Sequence, residues 1–222
     1  MTARDQRDQP TIVAGMTNEQ LIDALPELVD AATERAPDLA ATLRQWSREW
    51  LRAWNTHDLD AVLALVTDDI VCEDPSLCGE RVAGKPAFRD YVEMTWRAFP
   101  DIHFELASTP YLSLLGTGMA APWRARGTFT GDMGGGPSPV GIAATGRRFD
   151  TTGVDLYELR DGLLCTWVSV ADLTELARQL GMMPGARSPL FRLAIRVQRL
   201  GAPLLRGVHR YRQRRAQRSA CG

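Results

Sequence analysis

Few residues of this chain are of the kinds that bind metals or form disulfide frameworks. There are four cysteines, Cys72, Cys78, Cys165 and Cys221, with no CxxC pair, and the three histidines lie far apart in the sequence. This spacing predicts neither a metal site nor a disulfide framework. Lysine occurs once, at Lys85, so arginine supplies almost all of the positive charge.

Long apolar runs are also missing. No run reaches the roughly 18 apolar residues that a membrane-spanning helix needs. Residues 1–16 are polar and lack the apolar core of a signal peptide, so we expect a cytoplasmic protein. The 222 residues, 45% of them hydrophobic and 24% charged, fit one globular domain with extensions better than two full domains.

Charge is distributed unevenly along the chain. The net charge is −1, but residues 186–222 hold ten arginines and no acidic residue, which leaves residues 1–185 with a net charge of −11. An acidic body therefore carries a basic C-terminal tail.

The N-terminal part of the chain is predicted to be helical after a disordered start at residues 1–15. Residues 16–39 have helical apolar spacing, with Thr17 as the N-cap and Pro26 as a break or bend. A second helix is predicted over residues 39–55, where large apolar side chains recur every three or four residues. These side chains are Leu43, Trp46, Trp50 and Trp54. We interpret the stripe as core rather than as a cofactor site.

The rest of the body predicts short helices and a run of strands. Helices are expected over residues 59–69, 85–99 and 173–181, and strands over residues 70–75, 102–112, 119–131, 145–160 and 163–172. Residues 160–162, Arg-Asp-Gly, predict the tight turn of a β-hairpin. This order predicts an α+β domain over residues 39–184, with helices on the concave face of a curved antiparallel sheet that encloses a pocket. Residues 1–38 would be an N-terminal extension and residues 185–222 a basic amphipathic tail.

Five phrases of the sequence together resemble one protein family. They are WNTHDLDAVLALVTDDIVCEDP, AGKPAFRDYVEMTWRAFPDIHFEL, PWRARGTFTG, TGRRFDTTGVDLYELRDG and the pattern W-x4-D-x6-QLG. In this combination, over residues 43–183, the chain is similar to the SnoaL-like polyketide cyclase or ester cyclase family of the nuclear-transport-factor-2-like superfamily. The resemblance implies a cone-shaped α+β barrel, a homodimer, a role in secondary metabolism, and a reaction without metal or cofactor.

The resemblance also implies a catalytic acid. Family cyclases use an aspartate near the end of the last strand as general acid/base in an intramolecular aldol ring closure, and Asp172 matches that position. Thr166, Val168, Val170 and Asp172 alternate onto one face of this strand. If that face lines the pocket, Val168 and Val170 contact the substrate, and burial raises the pKa of Asp172. Alternatively, Asp172 caps the next helix, with Glu175 at capping-box spacing.

Two acids on the preceding strand could supply a second catalytic group. Glu158 and Asp155 lie on opposite faces of this strand, so only one of them can face the pocket. Glu158 is the candidate, because hairpin pairing would bring it near Asp172. The alternative is that Glu158 is a solvated or ion-paired strand residue.

Four other residues are candidates for contact with the substrate. Asp74 matches a position near the pocket in related folds, although it also fits a turn before proline. Trp123 and Phe129 share one face of their strand and could stack on a flat ring, or simply pack in the core. Trp54, from the tryptophan stripe, completes this set.

Three functions are compatible with these residues. The first is a cofactor-independent cyclase, or a related lyase or isomerase, acting on an apolar, ring-containing small molecule. The second is an epoxide hydrolase of the limonene-epoxide-hydrolase type, although such enzymes need an Arg-x-Asp pair where this chain reads WRARG. The third is a non-catalytic protein that binds a small ligand in the same cone.

The basic tail suggests a separate set of partners. Its apolar residues alternate with regularly spaced arginines, as in an amphipathic helix. It could dock onto the acidic body, or lie peripherally on an anionic membrane surface. Contact with nucleic acid would be limited to nonspecific binding of phosphate.

Overall fold

The computed structural model describes residues 18–77, 79–114, 117–135, 138–185 and 187–202. Two units are separable, residues 1–180 and residues 181–222. The predictions of disorder at residues 1–15 and of a cap at Thr17 lie outside the described residues.

Among the described residues of the first unit, five helices have defined bounds. They are α1 (Asn18–Asp23), α2 (Leu25–Asn55), α3 (Leu59–Ala64), α4 (Lys85–Ala98) and α5 (Leu173–Gln179), and a short 3-10 helix spans Pro75–Leu77. Pro26 lies in the first turn of α2, so the predicted break falls between α1 and α2. The sequence predicted two helices where α2 is one, with Pro37 inside it. Several alanines flank Pro37, and their high helix propensity favours continuation of the helix.

The part of the first unit that the structure describes also contains nine strands. They are β1 (Val66–Glu73), β2 (Val82–Ala83), β3 (His103–Leu106), β4 (Tyr111–Leu112), β5 (Met119–Thr128), β6 (Met133–Gly135), β7 (Ser138–Ile142), β8 (Arg148–Arg160) and β9 (Leu163–Ala171). The main sheet has the order β2-β1-β9-β8-β5-β3, and β4 also pairs with β5. Every pair is antiparallel except β1 with β9. The predicted α+β fold with a curved sheet is confirmed, and the cone-like sheet is open rather than closed.

The start of β1 differs from the prediction. A helix was expected to extend to residue 69, but α3 ends at Ala64 and the strand begins at Val66. Val66 and Thr67 are β-branched and favour a strand, and Val66 pairs with Leu164 of β9.

A tight turn joins β8 to β9, as Arg-Asp-Gly predicts. Asp161 and Gly162 have φ angles of 54° and 78°. Two successive positive φ angles are the signature of the type I′ turn that favours hairpins. The register of the β8–β9 pairing shifts between Glu158 and Leu159. Such a shift changes which residues of the two strands face each sheet surface beyond it.

The core lies between the helices and the inner face of the sheet. Trp46, Trp50 and Trp54 of α2 are only 3 to 6% exposed, which confirms the prediction that this stripe is core. Trp50 packs edge-on against Trp167 of β9, with ring centroids 5.7 Å apart. Phe88 of α4 also packs against Trp167, with ring centroids 6.1 Å apart.

The second unit contains a helix that covers residues 189–202 of the described chain. Throughout the part of the chain that the structure describes, no helix has both the length and the apolar character needed to span a membrane.

Candidate active site

A cavity opens between α2 and the inner face of the sheet. Its volume is about 60 Å³, well below the roughly 150 Å³ of an apolar cavity that holds one benzene ring. Its lining residues are Trp46, Ser47, Trp50, Leu51, Trp54, Phe104, Glu105, Leu106, Pro110, Met119, Ala121, Trp123, Asp155, Tyr157 and Trp167. The cavity therefore has mainly aromatic and aliphatic walls, and Asp155 and Glu105 are its only charged lining residues in the described chain.

Edge-to-face and stacked rings hold the aromatic walls in place. Trp46 stacks on Trp50 with centroids 5.1 Å apart, and Trp54 meets the edge of Phe104 at 5.7 Å. Phe104 in turn contacts Trp123 at 6.0 Å. Such pairs are favourable beyond the area they bury, so the cavity is preformed rather than assembled by a ligand.

Asp155 supplies the one deeply buried charge of this cavity. It lies on the inner face of β8 and is 4% exposed. The hydroxyl of Tyr157 donates a hydrogen bond of 2.7 Å to its Oδ2 atom. The indole Nε1 of Trp50 donates to the same hydroxyl at 3.3 Å. A chain of donors from α2 to β8 thus orients the carboxyl group.

Burial raises the pKa of Asp155 above its ordinary value. Hydrogen bonding from Tyr157 and the nearby polar groups of Ser169, Trp167 and Trp123 oppose this shift, but desolvation is the larger effect. Burial, then the charge of Asp155, raises the pKa of Tyr157 well above its usual range, so the tyrosine stays protonated as a donor. A carboxylate whose pKa is raised is a stronger base than an ordinary aspartate, which suits proton transfer.

The second oxygen of Asp155 is less satisfied than the first. Among the described residues, Oδ1 has no hydrogen-bond partner of good geometry, and neither do the buried indole nitrogens of Trp123 and Trp167. Both indoles favour the ionised carboxylate, yet neither N–H group forms a hydrogen bond of good geometry with it. Asp155 therefore keeps one unpaired acceptor oxygen, and because this atom is buried, a ligand reaches it only when the side chain or its neighbours move.

Asp172 lies elsewhere. It is exposed, and its Oδ1 accepts a hydrogen bond of 2.9 Å from the backbone N–H of Glu175, so it is the N-cap of α5. The expectation that its face of β9 lines the cavity is wrong, because Trp167 and Ser169 are the buried residues in the second half of that strand, which leads to Asp172. Its catalytic role remains a prediction that its position does not support.

Glu158 is also outside the cavity. It is on the face of β8 opposite Asp155, as predicted, and pairs across the hairpin with Thr166 rather than lying near Asp172. The side chain is half-buried, and desolvation raises its pKa. Asp155, which the sequence left as the alternative, is the acid that faces the cavity.

The predicted substrate contacts divide into two groups. Trp54 and Trp123 line the cavity. Asp74 does not line the cavity. Its carboxylate accepts hydrogen bonds from the backbone N–H of Ser76 at 2.7 Å and from the hydroxyl of Tyr91 at 3.1 Å. These contacts fit the alternative prediction that Asp74 is a turn residue before proline.

The other predicted contacts lie in the core or on the outer face. Phe129 is fully buried and packs on Phe99 at 5.2 Å, so it is core. Val168 is half-buried and Val170 is 55% exposed, both on the outer face of β9. Neither valine lines the cavity.

The geometry agrees with the comparison of the sequence with known families. The profile of the SnoaL-like domain matches residues 47–167, which is more than half of the chain and spans α2 to β9. The chain belongs to the SnoaL-like domain family. A search of curated proteins gives no significant match.

Solved structures show the same fold at low sequence identity. AclR of Streptomyces galilaeus, for which a hydroxylase activity has been suggested, is 21% identical over 77% of this chain and 98% of its own, with a TM-score of 0.54. A protein of Jannaschia sp. CCS1, suggested to be a SnoaL-like polyketide cyclase, is 15% identical over 65% of this chain and 94% of its own, with a TM-score of 0.54. TsrD of Streptomyces laurentii is 23% identical over 64% of this chain and 97% of its own, with a TM-score of 0.53. These similarities show the fold alone.

Proposed function

We propose that the protein is a cofactor-independent acid/base enzyme in which Asp155 transfers the proton. The reaction would be an intramolecular aldol cyclisation, or a related lyase or isomerase step, on an apolar, ring-containing small molecule. The observation that carries this proposal is a desolvated carboxyl with one unpaired oxygen inside an aromatic cavity. Membership of the SnoaL-like family supports the same class of reaction.

The chemistry follows from the raised pKa. An ionised Asp155 takes a proton from the carbon next to a substrate carbonyl, and the electron pair of that C–H bond moves to the oxygen as an enolate. The enolate carbon then attacks a second carbonyl carbon of the same molecule and forms the new C–C bond. Protonated Asp155 returns its proton to the resulting alkoxide, so the enzyme ends in its starting state.

Tyr157 is a positioning residue in this scheme. Its hydroxyl holds Oδ2 of Asp155, so Oδ1 is the oxygen that meets the substrate. The hydrogen bond also favours the ionised carboxylate, which limits how far burial can raise its pKa.

The cavity restricts the substrate to a compound whose reacting part is small and apolar. The cavity, at about 60 Å³, is smaller than the roughly 150 Å³ that encloses one benzene ring. A ring can therefore enter only in part, and the rest of the substrate must extend past Leu106, which is 50% exposed at the edge of the cavity. The flat indole walls favour planar rings, which stack on aromatic side chains.

One observation favours a second candidate, a non-catalytic binding protein. Among the described residues that line the cavity, only Asp155 and Glu105 are charged, so no other charged group is available as a second proton donor or acceptor. The arginines of β5 face outward, where Arg124 pairs with Asp150 and Arg126 pairs with Glu105 at 3.1 Å. An epoxide hydrolase of the limonene type, which needs such a partner, is therefore less well supported.

Hydrogen exchange on ring ketones tests the proposal. A panel of cyclic and polycyclic ketones is incubated with the protein in D2O, and deuterium uptake next to the carbonyl is followed by proton NMR. An enzyme that forms enolates accelerates this uptake, whereas a binding protein holds the ketone without exchange.

Two matched variants separate the candidate acids. Asp155→Asn should abolish the accelerated exchange, and Asp172→Asn, which keeps a capping oxygen, should leave it unchanged. Exchange that survives in Asp155→Asn but disappears in Asp172→Asn would overturn the assignment. Binding of ketones by the wild type without any exchange would favour the binding protein, and diol formation from ring epoxides would favour the hydrolase.

A further inference from the structure

The helix at residues 189–202 exposes an apolar stripe. Leu190 is 62% exposed, Leu193 56%, Val197 61% and Leu200 78%. These residues are separated by three, four and three positions, so they lie on one face of the helix. Exposed apolar stripes of this kind mark interaction surfaces.

A row of arginines borders the stripe. Arg192, Arg196 and Arg199 are separated by four and three positions and therefore share a second face of the helix. At about 100° per residue, this row is centred roughly 110° around the helix from the centre of the apolar stripe. All three arginines are exposed.

The surrounding sequence makes this helix part of a strongly basic segment. Residues 186–222 carry ten arginines and no acidic residue, while residues 1–185 have a net charge of −11. The helix thus combines positive charge along one face with exposed aliphatic side chains on the next.

We propose that this helix binds the surface of an anionic phospholipid bilayer. The four aliphatic side chains enter the boundary between headgroups and acyl chains, and the arginines beside them bind lipid phosphates. An arginine row flanking an apolar stripe suits this placement, since the long side chains can reach the headgroups while their stems stay near apolar surface. This inference is independent of the proposed enzymatic function.

A bilayer explains both faces of the helix, whereas nucleic acid explains only one. Phosphates of nucleic acid would neutralise the arginines, but they offer no environment for four exposed aliphatic side chains.

Sedimentation with vesicles tests the proposal on the full chain. One set of vesicles contains phosphatidylcholine alone, and a second set also contains phosphatidylglycerol. We expect the protein to sediment with the second set and to be released as the salt concentration rises. Absence of binding to the phosphatidylglycerol vesicles at low salt would overturn the proposal.

Three variants locate the binding surface. Leu193→Ser with Val197→Ser removes two members of the stripe, and we expect at least tenfold weaker binding, because each loses favourable transfer of apolar area. Arg192→Gln with Arg196→Gln and Arg199→Gln should weaken binding about a hundredfold, since each basic residue near the surface contributes a fewfold factor.

The matched control removes the same charge elsewhere. Arg44→Gln with Arg48→Gln and Arg89→Gln lowers the net charge equally at exposed positions in α2 and α4. Vesicle binding by this control should stay close to that of the wild type. Equal losses in both arginine variants, or no loss in the stripe variant, would show nonspecific charge attraction instead. Tighter binding to duplex DNA than to the vesicles would likewise refute the membrane surface.

Discussion

Replacing Asp155 with asparagine tests whether its carboxyl is desolvated in the folded protein. Burial raises the pKa of Asp155 above that of an aspartate in the unfolded chain. Between these two pKa values the folded protein holds a proton that the unfolded chain has lost. The stabilising contribution of this group is therefore complete below the unfolded pKa and is lost as the pH rises through the folded pKa.

The size of the effect follows from linkage. Within that interval the folding equilibrium constant falls by up to tenfold per pH unit because of this one group. Asparagine carries no charge at any pH, and its side-chain oxygen can still accept from the hydroxyl of Tyr157. The variant should therefore be more stable than the wild type at neutral pH and lose this advantage toward acid pH.

The assay is urea unfolding between about pH 4 and pH 8, followed by far-ultraviolet circular dichroism, with equal slopes required for the comparison. Asp150→Asn is the control, because the hydrogen bond from Arg124 lowers the pKa of that exposed carboxyl. Its contribution is lost only as the pH falls below the unfolded pKa of about 4, so the stability difference for Asp150→Asn should stay constant over this pH range. A stability difference for Asp155→Asn that does not change with pH would refute the reasoning about the cavity.

Three further substitutions test the geometry around the cavity. Tyr157→Phe removes the hydroxyl that donates a hydrogen bond to the carboxylate of Asp155, and hydrogen bonds to charged groups contribute about 1.5–3 kcal/mol. We therefore expect the pKa of Asp155 to rise further, as measured by NMR titration of the carboxyl group. An unchanged titration would argue that the hydroxyl does not stabilise the charge. Asp172→Ala removes the N-cap of α5 and should lower the free energy of unfolding by about 1 kcal/mol. The affinity for any ketone that the wild type binds should not change. A reduced ketone affinity would show that Asp172 contributes to the binding site. Gly153→Ala places a Cβ against the ring of Trp123 and 2.7 Å from the backbone oxygen of Val170, so both the indole and the backbone of β9 must shift. The free energy of unfolding should fall by about 1–3 kcal/mol, which thermal melts would measure; a melt identical to wild type would mean that both groups have room to move.

Local signals in the sequence predicted several elements well. Helix α4 was expected over residues 85–99 and runs over Lys85–Ala98, because Gly84 and Pro86 fix its start. The hairpin turn follows from Asp161 and Gly162, whose backbone angles the turn requires. In both cases the information lies within a few consecutive residues.

The orientation of Asp155 could not be read in this way. Each face of strand β8 carries both polar and apolar side chains. Asp155 and Tyr157 point inward, while the apolar Leu156 is 45% exposed on the outer face. Alternation therefore does not say which face is buried. The pairing of Trp123 with Gly153 and of Asp155 with Ser169 decides it, and both are long-range contacts. The one local signal was that Asp155 shares a face with Tyr157.

The error over Asp172 has a related cause. Strand β9 is apolar on both faces, so the period of two gave no preference for Val168 and Val170 over Trp167 and Ser169. The capping role, in contrast, was visible in the sequence as an aspartate just before an amphipathic helix.

All the tryptophans of this chain belong to one network of touching rings. Five of the six line the cavity, and the sixth, Trp96, contacts Trp54 with centroids 5.5 Å apart. Phe104 connects Trp123 to the same network through Trp54. The intrinsic ultraviolet emission of the protein therefore arises almost entirely around the cavity. Any ring compound that enters and absorbs in this range will quench that emission by energy transfer, so the protein carries its own optical reporter for identifying its ligand.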